Sequence, residues 1–187
     1  MSSKIDPAIV QILAENVRAE VLPRPSTMKL DPQIVQKIAQ RVPVFAGMSL
    51  DCLLRTLASA DHYPVKAGEA VFNEGDLGSA FYVVISGEVS VQKQHNGEVV
   101  VLATLGTGEC FGEMALVRND VRSASVVALQ DTVTMRFERE RIDESPDIAH
   151  IIYRNIARIL SGRLVESSVQ LADLVVQQKS SSGFTPI

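Results

Sequence analysis

Hydrophobic residues recur along this chain with three different spacings, and each spacing predicts a different kind of element. Up to residue 42 they recur every three or four positions, which is typical of amphipathic helices. The phrase Asp-Pro-x-Ile-Val-Gln begins at Asp6 and again at Asp31, with Asp as a helix N-cap and Pro at the first helical position. We therefore predict an N-terminal helical segment over residues 1–42. It is interpreted either as two packing helices that share start signals or as a functional repeat.

Between about Tyr63 and Glu138 the pattern shortens to runs rich in Val, Tyr and Phe, separated by turns of Gly, Asn and Asp. Such runs predict β-strands, and Asn96-Gly97 between two of them is a strong β-hairpin signal. Many short strands at this spacing are typical of a small barrel or jelly roll. The predicted strands are Ala70–Phe72, Phe81–Ser86, Glu88–Gln94, Val99–Leu105, Ala124–Leu129 and Val133–Phe137.

After Pro146 the pattern becomes helical as far as about Gln178. One apolar seam has alternating steps of four and three, which is a heptad pattern: Tyr153, Ala157, Leu160, Leu164, Ser167, Leu171 and Leu174. Isoleucines form a second apolar face near the start of the helix. Two faces require two partners, namely the β-domain and a second copy of the chain; the alternative is one broad stripe packed on one domain. Residues 179–187 are predicted to be a flexible tail.

Composition and charge exclude several classes of protein. The chain has 187 residues and a net charge of −4, and no long basic run indicates nucleic-acid binding. Its longest mainly apolar run, Val99–Leu105, is too short to cross a membrane. Cys52 and Cys110 are the only cysteines and have no metal-type spacing, so we expect a reducing, cytoplasmic location and no metal.

The strongest chemical signal is the loop that runs from Phe111 to Ala124. It carries Glu113 and, nine residues later, Arg122, with small residues on either side. A carboxylate accepts hydrogen bonds from hydroxyl groups, and a guanidinium pairs with anions. A cyclic nucleotide offers both a hydroxyl and an anion. The alternative is that Glu113 and Arg122 pair with each other and only staple the loop.

With these features in order, the chain resembles the cyclic-nucleotide-binding domain family, which includes bacterial catabolite activator proteins, protein kinase A regulatory subunits and cyclic-nucleotide-gated channels. The resemblance covers roughly residues 43–175. Besides the loop, it is carried by Phe45-Ala46-Gly47-Met48, Gly75-Asp76-Leu77-Gly78, Phe81-Tyr82-Val83-Val84 and Ser86-Gly87-Glu88-Val89-Ser90-Val91. It implies an α+β fold with an antiparallel β-roll, N-terminal helices and a long C-terminal helix. The expected binding domain with its helix spans residues 43–178.

In this family the loop is the phosphate-binding cassette. The resemblance implies that Glu113 accepts the ribose 2′-hydroxyl and that Arg122 pairs with the cyclic phosphate. Close approach of the backbone through small residues agrees with this. Ser123 is expected either to touch the phosphate or base or to be only a small strand residue. The expected cassette site therefore comprises Gly112, Glu113, Met114, Ala115, Arg122 and Ser123.

The resemblance also implies a lid over the base, supplied by the C-terminal helix. Counting without gaps from Arg122, the hydroxyl residues that contact adenine in bacterial activators correspond to Ser167 and Ser168. Because Ser167 also lies on the heptad seam, this register favours cAMP over cGMP and a homodimer. A gapped register would place Arg163 and Leu164 in the lid instead.

These observations predict a stand-alone cyclic-nucleotide receptor that offers a changed surface to an unknown protein partner. The chain stops before the helix-turn-helix domain of the bacterial activators, and no catalytic motif indicates an enzyme. A ligand-independent scaffold on the same fold is the alternative from another class. A haem or other small-molecule sensor is a third, although such variants need neither Glu113 nor Arg122.

Overall fold

The computed structural model describes residues 41–118 and 121–181. The predicted N-terminal helical segment, apart from Arg41 and Val42, lies outside the described residues, as do residues 182–187. In the two described ranges, eight β-strands form two four-stranded antiparallel sheets, which confirms the predicted β-roll.

The first sheet has the strand order β1-β8-β3-β6 and the second has the order β2-β7-β4-β5. Each of the six predicted strands is present with its ends within one residue of the prediction. The strands are β1 (Asp61–Val65), β2 (Ala70–Phe72), β3 (Ala80–Ser86), β4 (Glu88–His95), β5 (Glu98–Gly106), β6 (Cys110–Phe111), β7 (Ser125–Ala128) and β8 (Thr132–Glu138).

The hairpin between β4 and β5 turns at Asn96 and Gly97, as predicted. Both residues have positive φ angles, 53° and 84°. A two-residue turn of this kind matches the twist of the flanking strands, and Asn and Gly tolerate the left-handed backbone that it requires.

Strand β3 separates two apolar cores because its side chains alternate in direction. Phe81, Val83 and Ile85 pack into a core with the helices. Tyr82 and Val84 pack into a second core between the two sheets. Burial of both faces explains why β3 is apolar along most of its length. Strand β5 is also largely apolar in sequence, but most of its residues are exposed.

Within the described residues, five helical elements surround the strands. A 3₁₀-helix (Pro43–Phe45) precedes α1 (Leu50–Ala58), α2 (Glu113–Arg118) connects β6 to β7, and α3 (Arg139–Asp143) leads into α4 (Pro146–Ser181). Helix α4 thus ends at Ser181, three residues beyond Gln178, where the helical pattern in the sequence ends. None of the helices within residues 41–118 and 121–181 combines the length and apolar character of a membrane span.

The first half of α4 is fixed to the rest of the domain. Ile148, Ile152 and Ile156 are buried in the helix-side core. The buried Asn155 donates from Nδ2 to the carbonyl oxygens of Val44 (3.0 Å) and Ala46 (2.8 Å). These two bonds satisfy carbonyl groups around the 3₁₀-helix and tie it to α4.

Candidate functional site

The predicted cassette forms a short helix between two turns of chain. Gly112 precedes α2 with φ +78°, a backbone conformation that residues other than glycine rarely adopt. At the other end, Arg122 N–H donates to the Asp76 carbonyl (2.8 Å), and Gly75 N–H donates to the Arg122 carbonyl (2.9 Å). The backbone of Arg122 is therefore pinned to the turn that follows β2.

The Arg122 side chain runs inward from this point and is only 5% exposed. Its guanidinium carbon lies 4.1 Å from the centre of the Phe72 ring, and Nη1 donates to the Gly112 carbonyl at 2.8 Å. Nε is buried and has no hydrogen-bond partner among the described residues. Burial lowers the pKa of this guanidinium from its ordinary value, although an arginine remains charged at neutral pH. The site therefore holds a buried cation with an unused donor.

Glu113, at the start of α2, is also buried, with 3% exposure, but it has a cationic partner. Its Oε1 accepts a short hydrogen bond from Arg163 Nη1, and Arg163 Nη2 donates to the Cys110 carbonyl at 2.6 Å. The alternative in which Glu113 and Arg122 pair with each other is therefore wrong for this structure. Glu113 and Arg122 thus have different partners: Glu113 is held by α4, and Arg122 by the Phe72 ring and the Gly112 carbonyl.

Cys110, beside this ion pair, is not poised for nucleophilic chemistry. Burial, with the Glu113 charge as the next cause, raises the pKa of its thiol to about 12. The thiolate is the reactive form of cysteine, so this thiol is inert at neutral pH. No group of three metal-ligating side chains lies together within residues 41–118 and 121–181.

The remaining predicted cassette residues lie at the rim and beneath the loop. Met114 and Ser123 are exposed, and the Ser123 hydroxyl lies 3.4 Å from the Met114 sulfur. Ala115 is buried, and its carbonyl accepts a hydrogen bond from Arg139 Nη2 at 3.0 Å, which links the cassette to α3.

The two predicted lid residues lie further along α4. Ser167 and Ser168 are both exposed, and the Ser168 hydroxyl donates to the Leu164 carbonyl of its own helix at 2.8 Å. Arg163, about one turn earlier on α4, contacts the cassette by donating to Glu113. The gapped register predicts Arg163 as part of a lid over the base, whereas the structure shows it as the partner of Glu113. Leu164, named with it, is 68% exposed.

Sequence reasoning missed Phe72 as a site residue. A Val-Phe pair in a predicted strand indicates core packing, and nothing in the pattern shows that one face of the ring meets a guanidinium. The ion pair between Glu113 and Arg163, 50 residues apart, has no local signal either.

Comparison with known proteins shows which domain family this part of the chain matches. The family model for the cyclic nucleotide-binding domain matches residues 64–145, a range that contains both Glu113 and Arg122. Residues 64–145 are a cyclic nucleotide-binding domain. The resemblance seen in the sequence is thereby confirmed, and the Glu113–Arg163 pair connects this domain to the helix that follows it.

Relatives with this domain include receptors and regulatory subunits. The cyclic AMP receptor protein of Thermus thermophilus is 37% identical over 134 residues, which cover 69% of this chain and 60% of the receptor. The cAMP-dependent protein kinase regulatory subunit of Mycosarcoma maydis is 33% identical over 95 residues, which cover 51% of this chain and 18% of the subunit. The crystal structure of the Thermus thermophilus catabolite activator protein superposes with a TM-score of 0.65 at 35% identity, covering 71% of this chain and 63% of that protein. The chain thus spans less than two thirds of the length of each of these relatives.

Proposed function

We propose that this chain is a cyclic-nucleotide receptor, with cAMP as the favoured ligand and cGMP as the other candidate. The observation that carries the proposal is the buried Arg122 guanidinium, whose Nε has no partner among the described residues. A buried, unsatisfied charged donor is costly unless something completes it. The oxygens of a cyclic phosphate match the donor fork of arginine.

In this proposal, different cassette residues contact different parts of the ligand. Arg122 binds the cyclic phosphate and Glu113 accepts the ribose 2′-hydroxyl. Gly112 and Ala115 allow the backbone close to the ligand. Met114 and Ser123 lie at the exposed rim, where the ligand would meet solvent. No metal and no catalytic group takes part, and we propose a regulatory protein and not an enzyme.

Arg163 connects the proposed ligand site to α4. Glu113 already accepts a hydrogen bond from Arg163, so a ribose hydroxyl that binds Glu113 shares this carboxylate with α4. Binding would therefore change the position or order of α4, since a ligand shifts a conformational equilibrium by its different affinity for the two states. The surface changed in this way would act on a protein partner.

We also propose that the exposed seam of α4 joins two copies of the chain. The seam residues Leu164, Leu171 and Leu174 are all more than half exposed in the single chain. In a homodimer, Ser167 would lie on the seam with Ser168 beside it, where a base amino group could satisfy a hydroxyl. The free thiols of Cys52 and Cys110 fit the cytoplasmic location that we propose for this dimer.

One observation favours a second candidate function, a ligand-independent scaffold. Glu113 is buried and its charge is paired with Arg163, so this carboxylate has a cationic partner without a nucleotide. A scaffold would keep this ion pair permanently and would not respond to cAMP or cGMP.

Isothermal titration calorimetry separates the two candidates. We expect the wild-type chain to bind cAMP, and Arg122→Ala to weaken binding by roughly 10- to 100-fold, because a hydrogen bond to a charged group contributes about 1.5–3 kcal/mol. Arg55→Ala is the matched control, since Arg55 pairs with Asp51 on the exposed surface of α1. No binding of either nucleotide to the wild type, or equal affinity in Arg122→Ala, would contradict the receptor.

A further inference from the structure

The Arg122 guanidinium lies in a narrow slot. Its central carbon is 4.1 Å from the centre of the Phe72 ring. The Gly78 backbone is packed against the guanidinium so closely that a β-carbon built on Gly78 would lie 2.2 Å from Nε and 2.4 Å from Cζ. The Gly112 carbonyl accepts from Nη1 at 2.8 Å. A ring, a bare backbone and one carbonyl therefore confine the side chain.

The ring that forms one wall of this slot is itself held in place. Phe72 lies 5.8 Å from the Tyr82 ring and 5.9 Å from the Phe111 ring, measured between centroids. Tyr82 and Phe111 stack at 5.2 Å with an angle of 5° between their planes. Aromatic contacts of this kind fix ring orientation, so the wall has little freedom to tilt away from Arg122.

We propose that Phe72 is a positioning residue for Arg122 and that Gly78 is required to leave room for the guanidinium. This inference rests on the proposed function, because it assigns the slot the task of preparing Arg122 for the cyclic phosphate. The face of an aromatic ring attracts a cation, and the attraction grows when both are removed from water. The ring thus stabilises a buried guanidinium that the Gly112 carbonyl alone leaves partly unsatisfied.

The slot stabilises the cation without using its remaining donors. A ring face contacts the flat side of the guanidinium, whereas hydrogen bonds lie in its plane. Nε therefore stays available to an incoming oxygen while the side chain is already ordered. A side chain that is ordered before binding loses less conformational entropy when the ligand arrives, which raises affinity.

Substitution of the ring tests this role by calorimetry with cAMP. We expect Phe72→Leu to weaken binding about tenfold, and Phe72→Tyr, which retains the ring face at this half-buried position, to stay within about threefold of the wild type. The control is Phe81→Leu, because Phe81 is a fully buried ring that stacks on Phe137 in the other core. It should lower the melting temperature and leave the affinity unchanged.

A double-mutant cycle shows whether Phe72 acts through Arg122. In an Arg122→Met background, Phe72→Leu should cause no further loss of affinity, because the guanidinium that it positions is gone. Equal affinity of Phe72→Leu and the wild type would overturn the proposal. So would a tenfold loss that persists in the Arg122→Met background, since the ring would then act by packing alone.

Nuclear magnetic resonance of the ligand-free protein tests the slot even if no nucleotide binds. A proton close above an aromatic ring resonates upfield of its ordinary position. The Arg122 Nε–H signal is assigned by its loss in Arg122→Met. We expect this signal to be shifted upfield in the wild type. Phe72→Leu should abolish the shift and Phe72→Tyr should retain it. An unshifted wild-type signal overturns the slot. A shifted signal in a chain that binds neither cAMP nor cGMP would contradict the proposed receptor function but support the contact between Phe72 and Arg122.

Discussion

The two halves of α4 have similar apolar content but opposite surroundings. In the half before Arg163, Ile148, Ile152 and Ile156 are buried in the core, and Asn155 bonds to the 3₁₀-helix. In the half after Arg163 the apolar residues are exposed: Leu164, Val165, Val169, Leu171, Leu174 and Val175. Arg163 lies at the boundary and holds Glu113. One continuous helix thus serves the fold and the site with its first half and presents a bare apolar surface with its second.

This difference shows that the two halves of α4 do not have the same packing partners. Apolar surface on the first half is stabilised by other described parts of the chain, whereas the comparable surface on the second half has no cover among the described residues. The predicted heptad seam runs through both halves, and a second copy of the chain is the partner that we propose. Each prediction below perturbs one side of this comparison.

The largest expected effect is on the buried half. Ile152 is fully buried, so Ile152→Ala should reduce the free energy of unfolding by about 2–5 kcal/mol. Urea denaturation should show this loss equally at every protein concentration. Leu171→Ala is the matched change on the exposed half, and its cost should grow with protein concentration as dimers form. A loss of less than about 1 kcal/mol for Ile152→Ala would contradict the observed packing.

On the exposed half, a charge on the seam should separate the dimer. Leu171→Glu buries an unpaired carboxylate at the proposed interface, which should weaken association at least about a hundredfold, or roughly 2.7 kcal/mol. Sedimentation velocity would follow the change from two chains to one. Gln170→Glu adds the same charge at the adjacent residue, off the seam, and should remain dimeric. A wild-type chain that sediments as a monomer would contradict the proposed seam.

The next effect concerns the link between α4 and the 3₁₀-helix. Asn155→Ala removes the donors to the Val44 and Ala46 carbonyls, so we expect a loss of about 1–3 kcal/mol in the free energy of unfolding. Chemical denaturation measures it. Asn155→Asp, which keeps the shape but not the amide donors, should be at least as destabilising, and an unchanged Asn155→Asp protein would show that the bonds are unimportant.

Arg163, at the boundary, should affect ligand affinity. Arg163→Met leaves Glu113 as a buried carboxylate without its cation, which disfavours the charged acceptor that the ribose needs. We expect roughly tenfold weaker binding of cAMP by calorimetry. Arg158→Met removes a cation from an exposed position on the same helix and should bind normally. Tighter binding in Arg163→Met would mean that Arg163 blocks the pocket.

The smallest effect is expected at the two serines of the exposed half. Ser168→Ala should change the free energy of unfolding by less than about 0.5 kcal/mol, because its hydroxyl is exposed and bonds within its own helix. Nucleotide competition should then show whether Ser167→Ala reduces the preference for cAMP over cGMP. An unaffected preference would reject the hydroxyl lid at Ser167.

The β-roll could be predicted from the sequence because its strands carry local signals. Alternating apolar runs and the Asn96-Gly97 turn locate six strands, and these are confirmed within one residue. Strand β1 was missed because it is mostly exposed and contains Pro64, and β6 because it has only two residues. Helix α1, capped by the Ser49 hydroxyl, was missed although its N-cap is a local signal.

The cassette could also be located from its local spacing, but not the partners of its charges. The nine-residue step from Glu113 to Arg122 suggested a shared pocket. The structure adds that Glu113 pairs with Arg163 on α4 and that Arg122 stacks on Phe72 in β2. Such partners are set by how distant elements pack, and neither periodicity nor spacing records that packing.

The central claim, that the chain is a cyclic-nucleotide receptor, is tested most directly by thermal unfolding with and without cAMP. A ligand that binds the folded state at 100 times its dissociation constant stabilises it by about 2.7 kcal/mol, which should raise the melting temperature by roughly 5–10 °C. We predict this rise for the wild-type chain with cAMP, and a smaller rise for Arg122→Ala at the same concentration. An unchanged melting temperature with saturating cAMP and with saturating cGMP would contradict the receptor and favour the scaffold.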